Sequence, residues 1–218
     1  MISERSIATT THGRYLAIGP SEPGPAQLLV GFHGYAEDAE TQMERLRAIP
    51  GSERWHLISI LGLHRFYQRR SNQVVASWMT RQDREWALAD NVAFVRACIE
   101  AECAAPAVLV FAGFSQGAAM AYRAAIHAPG QAGVIAAGSD VPPELDAAAL
   151  RKLSSVLIAR GAADELYRET AFAKDRQRLS DAGVPVRAVT LNAGHEWSAD
   201  LTAAAGEFLA QQQAKSGK

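Results

Sequence analysis

Cysteine is scarce in this chain, which has only Cys98 and Cys103 among its 218 residues. The two lie five positions apart in a predicted helix, and residues at that spacing point to different faces, so we expect no disulfide between them. No Cys-x-x-Cys pair occurs, and two thiols cannot supply the four ligands of a structural zinc site. We therefore expect two reduced thiols that pack as small apolar side chains.

An excess of charge of either sign is also missing. The formal net charge is −1, so no strong field attracts the chain to nucleic acid or to an anionic membrane surface. No run of about eighteen or more apolar residues occurs, which argues against a membrane span. The first residues lack a basic region followed by an apolar run, so no signal peptide is visible. We expect a soluble, cytoplasmic protein without a nucleic-acid partner.

The pattern of apolar residues predicts an α/β fold. Hydrophobic residues make up 48% of the chain and charged residues 21%, and the length suits a single domain over residues 1–218. Short continuous apolar runs are typical of strands that are covered on both faces. The predicted strands are 28–32, 56–61, 107–111, 134–137, 156–159 and 186–191. Helical patterns lie between these runs, and this alternation indicates a mostly parallel, doubly wound sheet.

Two stretches do not follow the alternation. Residues 1–27 alternate weakly and contain a run rich in proline and glycine, so we predict an antiparallel N-terminal β-hairpin at a sheet edge. Residues 62–83 form one long irregular stretch, and loops of this length inside a compact domain tend to be functional. We expect residues 62–83 to form an active-site loop.

The segment Gly113-Phe114-Ser115-Gln116-Gly117 directly follows one predicted strand and directly precedes a helix. A serine at the apex of such a sharp turn projects its hydroxyl above the sheet, and its neighbours two positions away must be small because the two backbones nearly touch. The start of the helix also presents free N–H groups to a developing oxyanion. The pattern indicates a nucleophilic serine, with a glycine-rich turn around a solvated serine as the alternative.

A base and an acid follow later strands. His195 lies after the last strand, on the side of the sheet where ligands gather in open α/β folds, and there it could reach the Ser115 hydroxyl. Asp164 lies just after an earlier strand and would orient the imidazole. Glu165 and Asp140 remain alternatives for the acid. The chain order serine, aspartate, histidine is the one that α/β hydrolases use.

The oxyanion hole of such a site takes one N–H from the residue after the nucleophile, here Gln116, and one from the loop after an earlier strand. In the segment Phe32-His33-Gly34-Tyr35 the amide of Tyr35 is the natural second donor. We assign His33 no catalytic role.

Together, Phe-His-Gly-Tyr, Gly-Phe-Ser-Gln-Gly, Gly-Ala-Ala-Asp and Gly-His-Glu resemble the phospholipase/carboxylesterase family of small α/β hydrolases, which includes the acyl-protein thioesterases. The resemblance runs from about residue 28 to residue 208. It implies the α/β-hydrolase fold, hydrolysis of small-molecule carboxylic esters or thioesters, and no metal or organic cofactor. It also implies a triad and an oxyanion hole formed by Ser115, Asp164, His195, Tyr35 and Gln116.

The chain departs from the family pattern at several places, and these departures concern the substrate rather than the reaction. Ala118 stands where the family often has a second glycine, residues 165–168 replace an apolar-Pro step, and residues 65–84 are rich in arginine. No insertion is long enough for a folded lid domain, so we expect an open site that favours short to medium acyl chains. The residues expected to line it are Trp78, Met79, Leu166 and Trp197, with anchoring of the loop itself as the alternative role of the aromatic residues.

Two other functions fit the same fold. A dienelactone-hydrolase-like enzyme would cleave cyclic esters, but that family generally has cysteine where this chain has Ser115. A non-catalytic binding protein could keep the fold, although the complete set of site residues argues against it. A homodimer is left open.

Overall fold

The computed structural model describes residues 1–24 and 26–216. Pro25 in the predicted hairpin, and residues 217–218 at the end of the predicted domain, lie outside the described residues. The strands are β1 Arg14–Ile18, β2 Gln27–Phe32, β3 His56–Leu61, β4 His64–Tyr67, β5 Val74–Ser77, β6 Val108–Phe114, β7 Ala132–Ala137, β8 Leu153–Gly161 and β9 Val186–Leu191. The helices are α1 Ala39–Ala48, α2 Arg84–Glu102, α3 Gln116–Ile126, α4 Ala147–Leu150, α5 Glu169–Asp181 and α6 Ala199–Ser216, with a 3-10 turn at Ser52–Arg54.

Seven of the strands form one sheet in the order β1-β3-β2-β6-β7-β8-β9. All neighbouring pairs are parallel except β1 with β3, which is antiparallel. All six predicted strands are present in this sheet, some with longer bounds, and the prediction of a mostly parallel α/β sheet is confirmed. Because the parallel strands run the same way, the loops that follow β2, β6, β8 and β9 emerge at one edge of the sheet.

Alternate residues of the strands face two separate apolar layers. In β2, Leu28 and Val30 pack in one buried cluster together with side chains of α2, α3 and α5. Leu29, between them, packs in the other cluster with side chains of α1 and α6. Helices therefore cover both faces of the sheet, which is why its strands are continuous apolar runs. Within the described residues, no helix combines the length and apolarity that crossing a bilayer requires.

Helix α1 lies between β2 and β3, and the sequence carries a signal for its start. Asp38 caps its start by accepting a hydrogen bond from the Thr41 amide at 2.8 Å. Ala39, Met43 and Leu46 are buried at helical spacing on one face. The helix is only ten residues long and mostly polar, so its apolar stripe is easily missed.

The predicted N-terminal hairpin is corrected by the structure. Within the described part of residues 1–27 the strand ahead of β2 is β1, and it pairs with β3 rather than with a neighbour in the same stretch. Pro20 and Pro23 follow β1 and have no N–H to donate to a ladder, which disfavours a second strand there. The expected position at the sheet edge is found.

The stretch 62–83 is also more regular than predicted. Strands β4 and β5 pair antiparallel within it and form a separate two-stranded hairpin. Its second strand is joined to the loop after β2, because Ala36 donates to the Ala76 carbonyl at 3.0 Å and Ala76 donates to the Glu37 carbonyl at 2.9 Å. Residues 62–83 are thus attached to the loop that contains Tyr35.

Candidate active site

Ser115 occupies a strained turn between β6 and α3. Its φ of 52° and ψ of −123° lie outside the regions that non-glycine residues favour, and its amide is held by the Ala137 carbonyl of β7 at 2.8 Å. A Cβ on Gly113 would overlap the Gly117 carbonyl oxygen, and a Cβ on Gly117 would overlap that of Phe32. The two glycines of the motif are therefore required by the close approach of α3 to the ends of β6 and β2.

His195 lies in the loop between β9 and α6 and points toward Ser115. Its Nε2 is 3.0 Å from Ser115 Oγ, although 80 positions separate the two residues in the chain. The imidazole packs against the Phe114 ring, with centroids 5.0 Å apart, and against Gly138, where a Cβ would lie 3.0 Å from the imidazole Cε1. The imidazole is thus held over the serine hydroxyl by the ends of β6 and β7.

Asp164 lies behind the imidazole and is the carboxylate that the structure brings to it. Its Oδ2 is 2.8 Å from His195 Nδ1, and its Oδ1 accepts the amides of Leu166 and Tyr167 at 2.9 Å each. Burial opposes ionisation of this carboxyl, but the hydrogen bonds from Tyr167, His195 and Leu166 outweigh it, and the pKa of Asp164 lies below its ordinary value. An ionised Asp164 can only accept, so Nδ1 carries a proton and Nε2 is free to accept one from Ser115.

The two alternative acids take no part in this chain of hydrogen bonds. Asp140 and Glu165 are both exposed, and neither contacts His195 among the hydrogen bonds and ion pairs of the described residues. Asp164 is 4% exposed and holds its position through two backbone amides. The turn buries Asp164 and exposes Glu165, its neighbour in the chain. The sequence does not show this difference, so it left the choice of acid open.

The amides of Tyr35 and Gln116 are free to bind a ligand. Within residues 1–24 and 26–216, neither donates a hydrogen bond to another group of the protein. Gln116 opens α3, where the first amides have no partner inside the helix. Tyr35 lies in the turn after β2, in which Ala36 has a φ of 59°.

The side chain of Gln116 has a role that the sequence did not predict. Its Oε1 accepts the Trp78 amide at 2.9 Å, and its Nε2 donates to the Met79 carbonyl at 3.2 Å. These bonds join the start of α3 to the chain that leaves β5. The glutamine that follows Ser115 therefore connects the helix start with the β4–β5 hairpin.

His33 holds the turn after β2 through both of its ring nitrogens. It is completely buried, its Nε2 accepts the Gly62 amide at 3.0 Å, and its Nδ1 therefore donates to the Gly34 carbonyl at 2.6 Å. Burial lowers the pKa of His33, which keeps the imidazole neutral.

Four residues were predicted to line a substrate site, and the structure corrects this prediction for Trp78. Its indole is wholly buried, donates to the His33 carbonyl at 2.8 Å and stacks on the His33 ring, so a substrate cannot reach it. Leu166 is 76% exposed beside Asp164. Met79 and Trp197 are half-buried, and the Trp197 indole donates to Thr202 Oγ1 at 3.0 Å.

Comparison with known proteins shows the fold. No family model matches the chain, and no curated protein matches it. The solved structure of esterase PE8 is 18% identical, with 93% of this chain and 100% of that chain covered and a TM-score of 0.72. A carboxylesterase of Bacillus cereus is 17% identical, with 92% and 94% covered and a TM-score of 0.72. Acyl-protein thioesterase 2 of Zea mays is 16% identical, with 92% and 99% covered and a TM-score of 0.72. The chain therefore has the α/β-hydrolase fold of these proteins.

Proposed function

We propose that the chain is a single-domain serine hydrolase of the phospholipase/carboxylesterase family, which cleaves carboxylic esters or thioesters through an acyl-enzyme. The observation that supports this most is the chain of hydrogen bonds from Ser115 Oγ to His195 Nε2 at 3.0 Å and from His195 Nδ1 to Asp164 Oδ2 at 2.8 Å. The fold shared with esterases and a thioesterase, and the four sequence segments described above, support the same conclusion.

In the proposed mechanism, His195 takes the proton of Ser115 as the hydroxyl oxygen attacks the acyl carbonyl. The amides of Tyr35 and Gln116 stabilise the oxyanion, and each such donor typically contributes about 3–4 kcal/mol to the transition state. The intermediate collapses, and the leaving alcohol or thiol takes the proton from His195. A water molecule then transfers a proton to His195 and hydrolyses the acyl–Ser115 ester, which releases the acid.

We propose an open site for short to medium acyl chains. The cavity that touches Asp164 has a volume of only about 10 Å³, which is close to the room that one water needs. Larger cavities, of about 260, 310, 400 and 480 Å³, lie elsewhere on the described structure, and none of these four is lined by Ser115 or His195. Leu166, Met79 and Trp197 are the proposed apolar contacts of the acyl group.

A fluorophosphonate probe tests the nucleophile directly. We expect labelling of the wild type and none of Ser115→Ala, whereas Ser139→Ala, a serine after the neighbouring strand β7, should label as the wild type does. No labelling of the wild type, or labelling that persists in Ser115→Ala, contradicts the serine-hydrolase proposal. A panel of esters and thioesters of increasing length then tests the substrate, and a steep preference for long chains contradicts the open site.

A further inference from the structure

The turn that carries the Tyr35 amide is held by a side chain three positions beyond its start. Gly34 donates its amide to Glu37 Oε2 at 2.7 Å, and Glu37 donates its own amide back to the Gly34 carbonyl at 3.3 Å. Ala36, between them, has a φ of 59°, a region that residues other than glycine rarely adopt. A turn with this conformation persists only when its surroundings hold it, and the Glu37 carboxylate supplies that support.

Arg45 of α1 binds this carboxylate with both ends of its guanidinium. Nη1 donates to Glu37 Oε2 at 2.6 Å and Nη2 donates to Oε1 at 2.7 Å. The two side chains are only 17% and 24% exposed, so solvent screens the pair less than it screens a surface pair. Two parallel charge-assisted hydrogen bonds fix orientation as well as distance, and they join α1 rigidly to the turn.

The same guanidinium also contacts the other side of the site. Its Cζ lies 4.9 Å from the centroid of the Phe114 ring and 5.9 Å from that of Trp197. Phe114 directly precedes the nucleophile, and its ring lies against the His195 imidazole. Arg45 therefore links the turn that carries the Tyr35 amide to the ring that supports His195, through one ion pair with Glu37 and one cation–π contact with Phe114.

Charge gives a reason for pairing these two residues. A bare carboxylate on the turn would repel the oxyanion that forms at the same turn. Burial opposes ionisation of Glu37, but Arg45 outweighs it and keeps the pKa of that carboxyl below its ordinary value, so the pair is ionised and internally neutral at pH 7. Glu37 can thus hold the Gly34 amide as an anion while Arg45 cancels its charge.

We propose that Glu37 and Arg45 are paired positioning residues, which keep the Tyr35 amide aligned with Ser115 and His195 without touching the substrate. This inference rests on the proposed function, because it assigns the turn to the oxyanion hole of that reaction. It assigns no chemical step to either residue.

Kinetics on a nitrophenyl ester test the proposal. We expect Glu37→Ala and Arg45→Met each to lower kcat by about 10- to 100-fold with KM changed by less than about threefold, since misplaced donors weaken transition-state binding. Affinity for a boronic acid, which forms a tetrahedral adduct with the nucleophile, should fall in parallel. Glu37→Gln keeps an acceptor for the Gly34 amide and should recover part of kcat. The double variant should be no worse than the poorer single variant, because the pair acts as one unit.

Glu40→Ala is the matched control. This substitution removes a bidentate ion pair with Arg14, in which Arg14 Nη1 donates to Glu40 Oε2 at 3.1 Å. Glu40 is exposed, and among the hydrogen bonds of the described residues its side chain has none to the turn. Its kcat should equal that of the wild type. Losses of kcat in Glu37→Ala no larger than in Glu40→Ala overturn the proposal.

Amide hydrogen exchange gives a readout that needs no activity. Exchange at Gly34 and Ala36, whose amides are hydrogen-bonded in this turn, should accelerate in Glu37→Ala while exchange in β6 stays unchanged, and unaltered exchange at both amides overturns the proposal. An inactive wild type that fluorophosphonate does not label contradicts the proposed function instead. If exchange at the turn is faster in Glu37→Ala but the wild type is inactive, Glu37 and Arg45 have only a structural role. That result also overturns the proposal that they position an oxyanion donor.

Discussion

Replacing Asp164 with asparagine should reverse the hydrogen-bonding role of one nitrogen of His195. Asp164 Oδ1 accepts two backbone amides, from Leu166 and Tyr167, each at 2.9 Å. In Asp164→Asn the side-chain oxygen must stay on these two donors, because an NH₂ group there would face two N–H groups. The NH₂ group then occupies the place of Oδ2, which is 2.8 Å from His195 Nδ1.

A donor at that place excludes a proton on Nδ1, so the imidazole changes to the tautomer that is protonated at Nε2. Nε2 lies 3.0 Å from Ser115 Oγ and can then no longer accept the serine proton. A wrong tautomer in an otherwise intact triad costs about 10⁴-fold in kcat, which corresponds to about 5.4 kcal/mol of transition-state stabilisation.

The assay is kcat for a nitrophenyl ester, with thermal unfolding to show that the variant is folded. Asp140→Asn and Glu165→Gln are matched controls, since both remove an exposed carboxylate near the same edge of the sheet, and each should stay within about threefold of the wild type. Asp164 does not orient His195 if the folded Asp164→Asn variant keeps more than about a tenth of wild-type kcat, or if Glu165→Gln loses more activity than Asp164→Asn.

Three further outcomes are expected. Gly117→Ala should destabilise the fold by more than about 3 kcal/mol in urea unfolding, because its Cβ would overlap the Phe32 carbonyl oxygen; a stable variant would show that α3 can move away. Burial raises the pKa of Cys98 to about 12, so Ellman's reagent at pH 8 should find at most the half-buried Cys103 in the native protein and two thiols after unfolding; two fast native thiols would contradict this. Glu37→Gln should lower the unfolding free energy by about 1–2 kcal/mol at pH 7. Since the pKa of Glu37 is depressed below its ordinary 4.5, that difference should shrink as the pH falls below this value, and a difference independent of pH would contradict the ion pair.

Residues around the site act more as supports than as substrate contacts. Trp78 is the clearest case, since its amide binds the Gln116 side chain and its indole binds the His33 carbonyl. His33 in turn holds the Gly34 carbonyl and the Gly62 amide. The sequence marked Trp78 as a substrate contact because an aromatic residue in a long loop often is one. In the folded protein the indole fills the space behind the turn.

Local sequence predicts the elements of the sheet and the order of the candidate site residues. Apolar runs of strand length identify β2, β3, β6, β7, β8 and β9, because helices on both faces of the sheet leave few polar positions in these strands. Gly113 and Gly117 identify the turn at Ser115 because only glycine tolerates so close an approach of two backbones. The apolar runs and the paired glycines each depend only on residues that are close together in the chain. A single sequence therefore suffices to detect them.

The pairing of distant groups was decided only by the tertiary structure. The choice of Asp164 over Glu165, the pairing of β1 with β3, the hairpin of β4 and β5, and the Glu37–Arg45 pair all depend on which atoms the folded backbone brings within about 3 Å. Neighbouring carboxylates look equivalent in the sequence, yet one turn buries the first and exposes the second. Local sequence patterns show which chemical groups are present and which strands precede them, whereas long-range packing determines which of those groups meet.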